Sequence, residues 1–177
     1  MIRKIISTTD GSNTIYVPGL KEHYHSINGA VTETMHIFIN AGFNTIQKKS
    51  IRILEYGMGT GLNLFATLDQ AMKRSINVHY HTIEKYPLRE EEWRNLNIPE
   101  ILGVNKSFFN RIHTSPWDEL ITLNKLFTIY KEKSDFRTAT PEGQFDLIYY
   151  DAFAPDIQPH LWQPEIFQKI SHHCARG

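Results

Sequence analysis

Residues 51–65, IRILEYGMGTGLNLF, constrain the fold of this chain more than any other stretch. A short apolar run with β-branched residues leads into glycines at 57, 59 and 61, and an apolar-periodic segment follows. Strand, tight turn and helix in that order make the first unit of a doubly wound α/β domain, whose ligands sit at the carboxyl ends of the strands. Gly57, Gly59 and Gly61 allow positive φ and let a ligand approach the helix-opening amides with no Cβ in the way. A plain strand–helix connection has the same pattern, so the turn needs company.

Spacing narrows the choice. The dinucleotide fingerprint G-x-G-x-x-G would need a glycine where Leu62 stands, which disfavours an NAD oxidoreductase. G-x-G-x-G with Glu55 just before it is the pattern of S-adenosylmethionine (SAM) methyltransferases. A second strand, Val78 to Glu84, ends in an acid roughly two dozen residues past the turn. There Glu84 can accept both hydroxyls of a ribose, or be only a solvated strand-end acid. Glu55 can hold the SAM ammonium, directly or by water, or simply brace the turn. Phe145 to Asp151 is an apolar strand suited to the centre of a parallel sheet, and Asp151-Ala152-Phe153-Ala154-Pro155 follows it. A carboxylate here can orient an acceptor N–H and stabilise the charge that develops on nitrogen, and Phe153 can stack on a planar base. The plainer reading of D-A-F-A-P is a rigid turn.

The remaining periodicities predict a hairpin (3–8 and 14–17), a polar–aromatic loop (22–30) able to reach over a pocket, and a helix from Thr32 to about Ala41 closed by Gly42. Leu62 to Arg74 reads as a helix burying Leu64, Phe65, Leu68 and Met72, and Leu88 to Leu96 as a short helix. Arg111 to Thr114 reads as extended, 115–119 as a helical turn and Phe127 to Lys131 as a strand. Pro164 to His173 reads as a helix with Ile166, Phe167 and Ile170 inward. With no repeat or linker, residues 1–177 are expected to form one methyltransferase domain: an extension over 1–45 and a Rossmann-like core over 46–177.

Charge bears on partners. Nineteen basic residues balance nineteen acidic ones, so any grip on nucleic acid must come from a local patch. Arg3-Lys4, Lys48-Lys49 and Lys73-Arg74 are the candidates. The single Cys174 makes no internal disulfide, which fits a cytoplasmic protein, and no stretch reads as a membrane span or secretory signal. Nine histidines include the pairs His23/His25 and His79/His81, but no cysteine cluster or helical H-E-x-x-H accompanies them, so no metal site is expected.

Three segments together, EYGMGTGLNL (55–64), IEKYPL (83–88) and YDAFAPDIQPHLW (150–162), resemble the MnmC/MnmD-type tRNA 5-methylaminomethyl-2-thiouridine methyltransferases. DGSNTIY (10–16), HYHSINGA (23–30) and ETMHIF (33–38) agree. The resemblance implies a mostly parallel Rossmann-like sheet and a SAM-dependent enzyme that methylates the aminomethyl nitrogen of the tRNA wobble uridine. By position it implies SAM contacts from Glu55, Gly57, Gly59, Gly61, Asn63 and Glu84, with Tyr24 and His25 closing over the cofactor and Asp151 and Phe153 facing the acceptor. Bifunctional relatives add an FAD-dependent oxidase domain, for which this chain has no room, so another protein is expected to supply the aminomethyl precursor. Further strands are implied after Gly177, so the sheet is expected to lack its C-terminal strands. Within the fold the rival enzyme is an aminopropyltransferase, which should surround a polyamine with more acids than lie near Asp151. A non-catalytic SAM- or RNA-binding module is the rival of another class.

Overall fold

Alternation over the first residues closes a hairpin: β1 (Lys4–Ser7) pairs antiparallel with β2 (Asn13–Val17), as expected. Asp10 fastens its turn. One carboxylate oxygen accepts from the Thr8 hydroxyl at 2.7 Å and the Ser12 amide at 3.1 Å, and the other accepts from the Thr32 amide at 2.9 Å. The computed structural model describes residues 2–175. The chain divides into two compact units: Met1–Gln47 with Gly59–Lys73 and Leu88–Ser115, and Lys48–Met58 with Arg74–Pro87 and Pro116–Gly177.

In the first unit the expected loop over 22–30 begins as a third strand, β3 (Glu22–His23), paired to β2. The helix expected from Thr32 starts earlier, as α1 (Ala30–Thr34), and widens into a π-helical stretch over Met35–Asn40. After the glycine turn, α2 (Leu62–Arg74) has the expected bounds and buries Leu64, Phe65 and Leu68. Met72, expected inward, is 46% exposed, and Ala71 is buried instead. At about 100° per residue, Ala71 falls about 20° from the direction of Leu64, Met72 about 80°.

Three short helices follow: α3 (Glu90–Trp93), α4 (Ile98–Leu102) and α5 (Lys106–Thr114). Residues 111–114 are therefore helical, not extended. Gly103, in the left-handed region at φ 68°, ends α4, and the Asn105 side chain caps α5 by accepting from the Ser107 amide at 2.8 Å. Aromatic packing joins these helices to α2: Phe65 and Phe109 rings lie 5.1 Å apart, Trp93 and His113 stack at 5.0 Å.

The second unit is a five-stranded sheet of β4 (Ser50–Tyr56), β5 (Asn77–Ile83), β6 (Leu120–Asn124), β7 (Phe127–Glu132) and β8 (Leu147–Tyr150), in the order β6-β7-β5-β4-β8. All neighbours are parallel except β6 against β7. This is the expected mostly parallel α/β sheet, with one antiparallel edge strand the sequence reading missed. The expected helical turn at 115–119 is instead a run of bends leading into β6. In α6 (Pro164–Ser171) Ile166 and Ile170 pack into a core with Leu54, Tyr56, Ile83 and Phe145. Phe167 is 40% exposed, with its ring 5.2 Å from that of Tyr150, so it sits on the rim of this core and not inside it. Strands expected beyond Gly177 lie outside the described residues.

Candidate functional site

Parallel register in the second unit lines up the sequence-predicted acids. Tyr56, the last residue of β4, is level with Ile83 of β5 and Tyr150 of β8, so the next position on each strand forms a row: Glu84, Gly57, Asp151. Backbone bonds hold the row together, the Gly57 amide to the Ile83 carbonyl at 2.9 Å and the Asp151 amide to the Tyr56 carbonyl at 2.8 Å. Neighbouring strands lie about 4.8 Å apart, so the backbones at Glu84 and Asp151 stand roughly 10 Å apart with a glycine between them. This is the carboxyl edge at which open parallel sheets place ligands.

Gly57 is there by necessity. Its φ is +101°, and a Cβ built on it would meet the Asp151 carbonyl oxygen at 2.4 Å and the Phe136 ring at 3.5 Å. Only a residue without a side chain lets β4 and β8 close up at this point. Gly59 (φ +51°) and Gly61 (φ +82°) also use positive φ.

The level below the row is polar and buried. Glu55 is level with Thr82 on one side and Tyr149 on the other, and Thr82 with Lys131. Glu55, Thr82 and Lys131 are each 0% exposed. The Glu55 carboxylate accepts from the Thr82 hydroxyl at 2.7 Å, the geometry of a group bracing the turn from inside. Burial, with Glu55 next, raises the Tyr80 phenol well above its ordinary range. Burial also pushes the Lys131 ammonium down to about 8, and the ammonium lies 4.8 Å from the Trp117 ring centre.

Glu84 is half-buried and accepts from the Tyr86 amide at 2.7 Å. Asp151 and Phe153 are half-buried in the loop that leaves β8. The Trp162 indole donates to the Phe153 carbonyl at 2.8 Å, and the Tyr150 hydroxyl donates to the Leu161 carbonyl. These two side-chain bonds fix the D-A-F-A-P loop, and periodicity gave no sign of them.

The other expected contacts lie in the first unit, where the front loop rests on the glycine turn. Tyr24 would be the nearest neighbour, at 3.8 Å, of a Cβ on Gly59. His25 bridges two hydroxyls, Thr14 at 2.8 Å through Nδ1 and Thr60 at 3.3 Å through Nε2, and burial of the ring pushes its pKa down to about 4. Asn63 is buried and its side-chain oxygen accepts from the Thr34 hydroxyl at 3.0 Å. The site residues thus form two sets: Glu55, Gly57, Glu84, Asp151 and Phe153 in one unit, Tyr24, His25, Gly59, Gly61 and Asn63 in the other.

The histidine pairs are tied elsewhere: His79 to the Thr128 hydroxyl at 2.8 Å, His81 to Glu132 at 2.9 Å, and His23 against the Tyr16 ring at 4.7 Å. Among the described residues no cluster of three or more His, Cys, Asp or Glu is placed to hold a metal ion. The basic pairs considered for an RNA footprint are partly neutralised: Lys48 pairs with Asp146, Lys73 with Asp69, and Arg3, with a side chain 5% exposed, with Glu92. No helix among the described residues is long and apolar enough to cross a membrane.

Two acids thus stand at the carboxyl edge with Gly57 between them, and the backbone at that midpoint carries no Cβ.

Residues 112–177 match the sequence model of a family described as S-adenosyl-L-methionine-dependent methyltransferase. A tRNA 5-methylaminomethyl-2-thiouridine biosynthesis bifunctional protein MnmC from Campylobacter fetus is 29% identical over 170 residues, 90% of this chain and 27% of that protein. Its namesake from Leptospira interrogans is 30% identical over 173 residues, 87% of this chain and 26% of that protein. The crystal structure of MNMC2 from Aquifex aeolicus superposes with a TM-score of 0.79 at 25% identity, covering 98% of this chain and 57% of that one. The chain spans about a quarter of the length of the curated relatives it matches. The chain is thus similar to S-adenosyl-L-methionine-dependent methyltransferases and to proteins of the MnmC kind.

Proposed function

We propose that this chain is a SAM-dependent N-methyltransferase that converts 5-aminomethyl-(2-thio)uridine at the tRNA wobble position to its 5-methylaminomethyl form. The observation that carries the reading is the row Glu84–Gly57–Asp151, held by backbone bonds at the carboxyl edge of the sheet. The relatives' names, which concern this tRNA modification, support the choice of acceptor.

When bound, SAM supplies a methyl group already activated by the sulfonium, so the protein's work is alignment and exclusion of water. Glu84 accepts the ribose hydroxyls. Glu55, buried beneath the turn, accepts from the SAM ammonium directly or through water. Gly57 presents backbone without a side chain in the row; in the first unit Gly59 and Gly61 do the same, Asn63 holds the start of α2 beside them, and Tyr24 and His25 cover that stretch. Asp151 accepts a hydrogen bond from the acceptor amine, orients its lone pair toward the methyl group and stabilises the positive charge that forms on nitrogen. Phe153 stacks on the uracil ring, and Trp162 keeps the Phe153 backbone in place. The aminomethyl group must already be present, so a separate upstream enzyme supplies the precursor. The anticodon region of a tRNA is then the macromolecular partner and the cytoplasm the place of action.

Incubation with labelled SAM and tRNA carrying or lacking the aminomethyl group tests the reading. Label should pass only to the aminomethyl-bearing tRNA, and Asp151→Ala should abolish transfer while leaving SAM affinity within about twofold. Label on neither tRNA refutes it.

A further inference from the structure

The three basic pairs visible in the sequence are partly compensated, yet a chain with no net charge needs a local concentration of cations to hold an RNA. One exists in the second unit, assembled from segments far apart in sequence. Asp135, in the loop after β7, is the hub. Lys85 reaches it at 2.9 Å, and Arg137 grips it through Nε at 2.9 Å and Nη2 at 2.8 Å. Arg137, with Lys85 next, holds the Asp135 carboxyl far below the usual carboxylate range, so this acid stays ionised. The Lys169 ammonium of α6 donates to the Arg137 carbonyl at 3.0 Å and pairs with no carboxylate among the described residues. Two cations therefore hold one carboxylate, and a third reaches the backbone two residues further on.

Their geometry leaves capacity for a ligand. Arg137 spends Nε and Nη2 on Asp135, leaving Nη1 with no partner among the described residues, and its side chain is 50% exposed. The Lys85 side chain is 43% exposed. Beside it the Tyr86 ring, centred 5.1 Å from the Lys85 ammonium, belongs to a residue that is 50% exposed. An exposed aromatic face next to guanidinium and ammonium groups is what a single-stranded nucleic acid binds: bases stack on the ring and phosphates take the cations. An acidic protein surface would need the cations but would have no use for the flat ring.

The same loop reaches the proposed reaction centre. Phe136, between the hub and Arg137, turns inward, with its ring 5.4 Å from that of Tyr56 and 3.5 Å from the position a Gly57 Cβ would take. One turn of chain thus offers an inward aromatic contact to the Glu84–Gly57–Asp151 row and an outward cation.

We propose that Lys85 and Arg137, paired to Asp135, together with Lys169 on the Arg137 carbonyl, bind the RNA backbone next to the target nucleotide, with Tyr86 as a stacking face for a neighbouring base. The proposal rests on the tRNA reading above and names the surface that reading lacks. The test is equilibrium binding of tRNA to the whole chain across a salt series. Arg137→Ala with Lys169→Ala should weaken binding about tenfold or more near 0.1 M salt and flatten the log–log salt slope by about 2, because two phosphates would no longer be neutralised. Tyr86→Ala should weaken binding with no change in slope. SAM affinity and the thermal midpoint report whether each variant remains folded; if the double variant does not, Arg137→Gln with Lys169→Gln replaces it. Wild-type affinity and slope in folded variants would overturn the proposal. Because binding is read without turnover, that failure is distinct from failure of the methylation reading, which appears as no label transfer by the unaltered chain.

Discussion

Replacing Gly57 with alanine probes the closest approach in the proposed site. The added methyl would sit 2.4 Å from the Asp151 carbonyl oxygen and 3.2 Å from its carbon, both backbone atoms. Relief to ordinary contact needs roughly 1 Å of separation between the ends of β4 and β8. That movement pulls on the 2.8 Å bond from the Asp151 amide to the Tyr56 carbonyl. Strain from holding an L-residue at φ +101° adds about 1–3 kcal/mol, the clash about 1–3 kcal/mol, and a broken backbone bond about 1 kcal/mol. Gly57→Ala is therefore expected to cost about 3–7 kcal/mol, with methyl transfer lost in any fraction that remains folded. Gly59→Ala is the control: its φ of +51° lies in the left-handed region, and its Cβ would meet only Tyr24 at 3.8 Å, so about 1–2 kcal/mol is expected. Urea unfolding midpoints measure both, and labelled-methyl transfer follows in whatever folds. If Gly57→Ala lies within 1 kcal/mol (roughly) of the parent, or if the two variants cost the same, the close approach does not govern this edge.

Two further outcomes are expected. Trp162→Phe keeps the ring but removes the donor to the Phe153 carbonyl, so the D-A-F-A-P loop should loosen by about 1 kcal/mol. Steady-state kinetics should then show a several-fold rise in KM for tRNA with SAM affinity unchanged, and an equal effect on both substrates would contradict a role in holding that loop. Lys131 gives a pH test. Its folded-state value of about 8 lies below the ordinary 10.5, so the full penalty of burying the charge applies below pH 8, where the lysine is protonated in both states. As pH rises from there toward 10.5 the folded protein sheds the proton before the unfolded chain does, and its stability rises. Lys131→Met should accordingly be more stable by on the order of 2 kcal/mol at pH 7, with the advantage shrinking as pH rises through that interval. A constant difference in unfolding free energy between pH 7 and 10.5 would show that burial does not set the proton affinity of this lysine.

The parts of the fold legible in the sequence were those with strong local signals. Apolar runs and the glycine triplet located β4, the turn and α2, and strand-end acids located Glu84 and Asp151. Residues 98–114 were obscure because two short helices leave too few turns for periodicity, though Asn105 two residues before Ser107 was a readable cap. Strand β6 was missed because an edge strand of five residues has little apolar alternation. The cationic hub around Asp135 was invisible for another reason: its members stand at 85, 135, 137 and 169, and only the fold brings them together. The visible pairs misled because a run of like charges in sequence says nothing about the acids that the fold brings to it.

The bridge from Thr14 through His25 to Thr60 has a directional consequence. A ring pushed down to about 4 carries a single hydrogen near neutrality, so its two nitrogens must play opposite parts. The Thr60 oxygen also receives the Leu62 amide at 3.4 Å, and whichever ring nitrogen carries the hydrogen, one hydroxyl donates to the ring and the other accepts from it. One ring in the front loop thereby couples the orientation of a hydroxyl beside the start of α2 to that of a hydroxyl in the N-terminal hairpin. Polarity runs one way along three side chains, with no ionisable step to interrupt it.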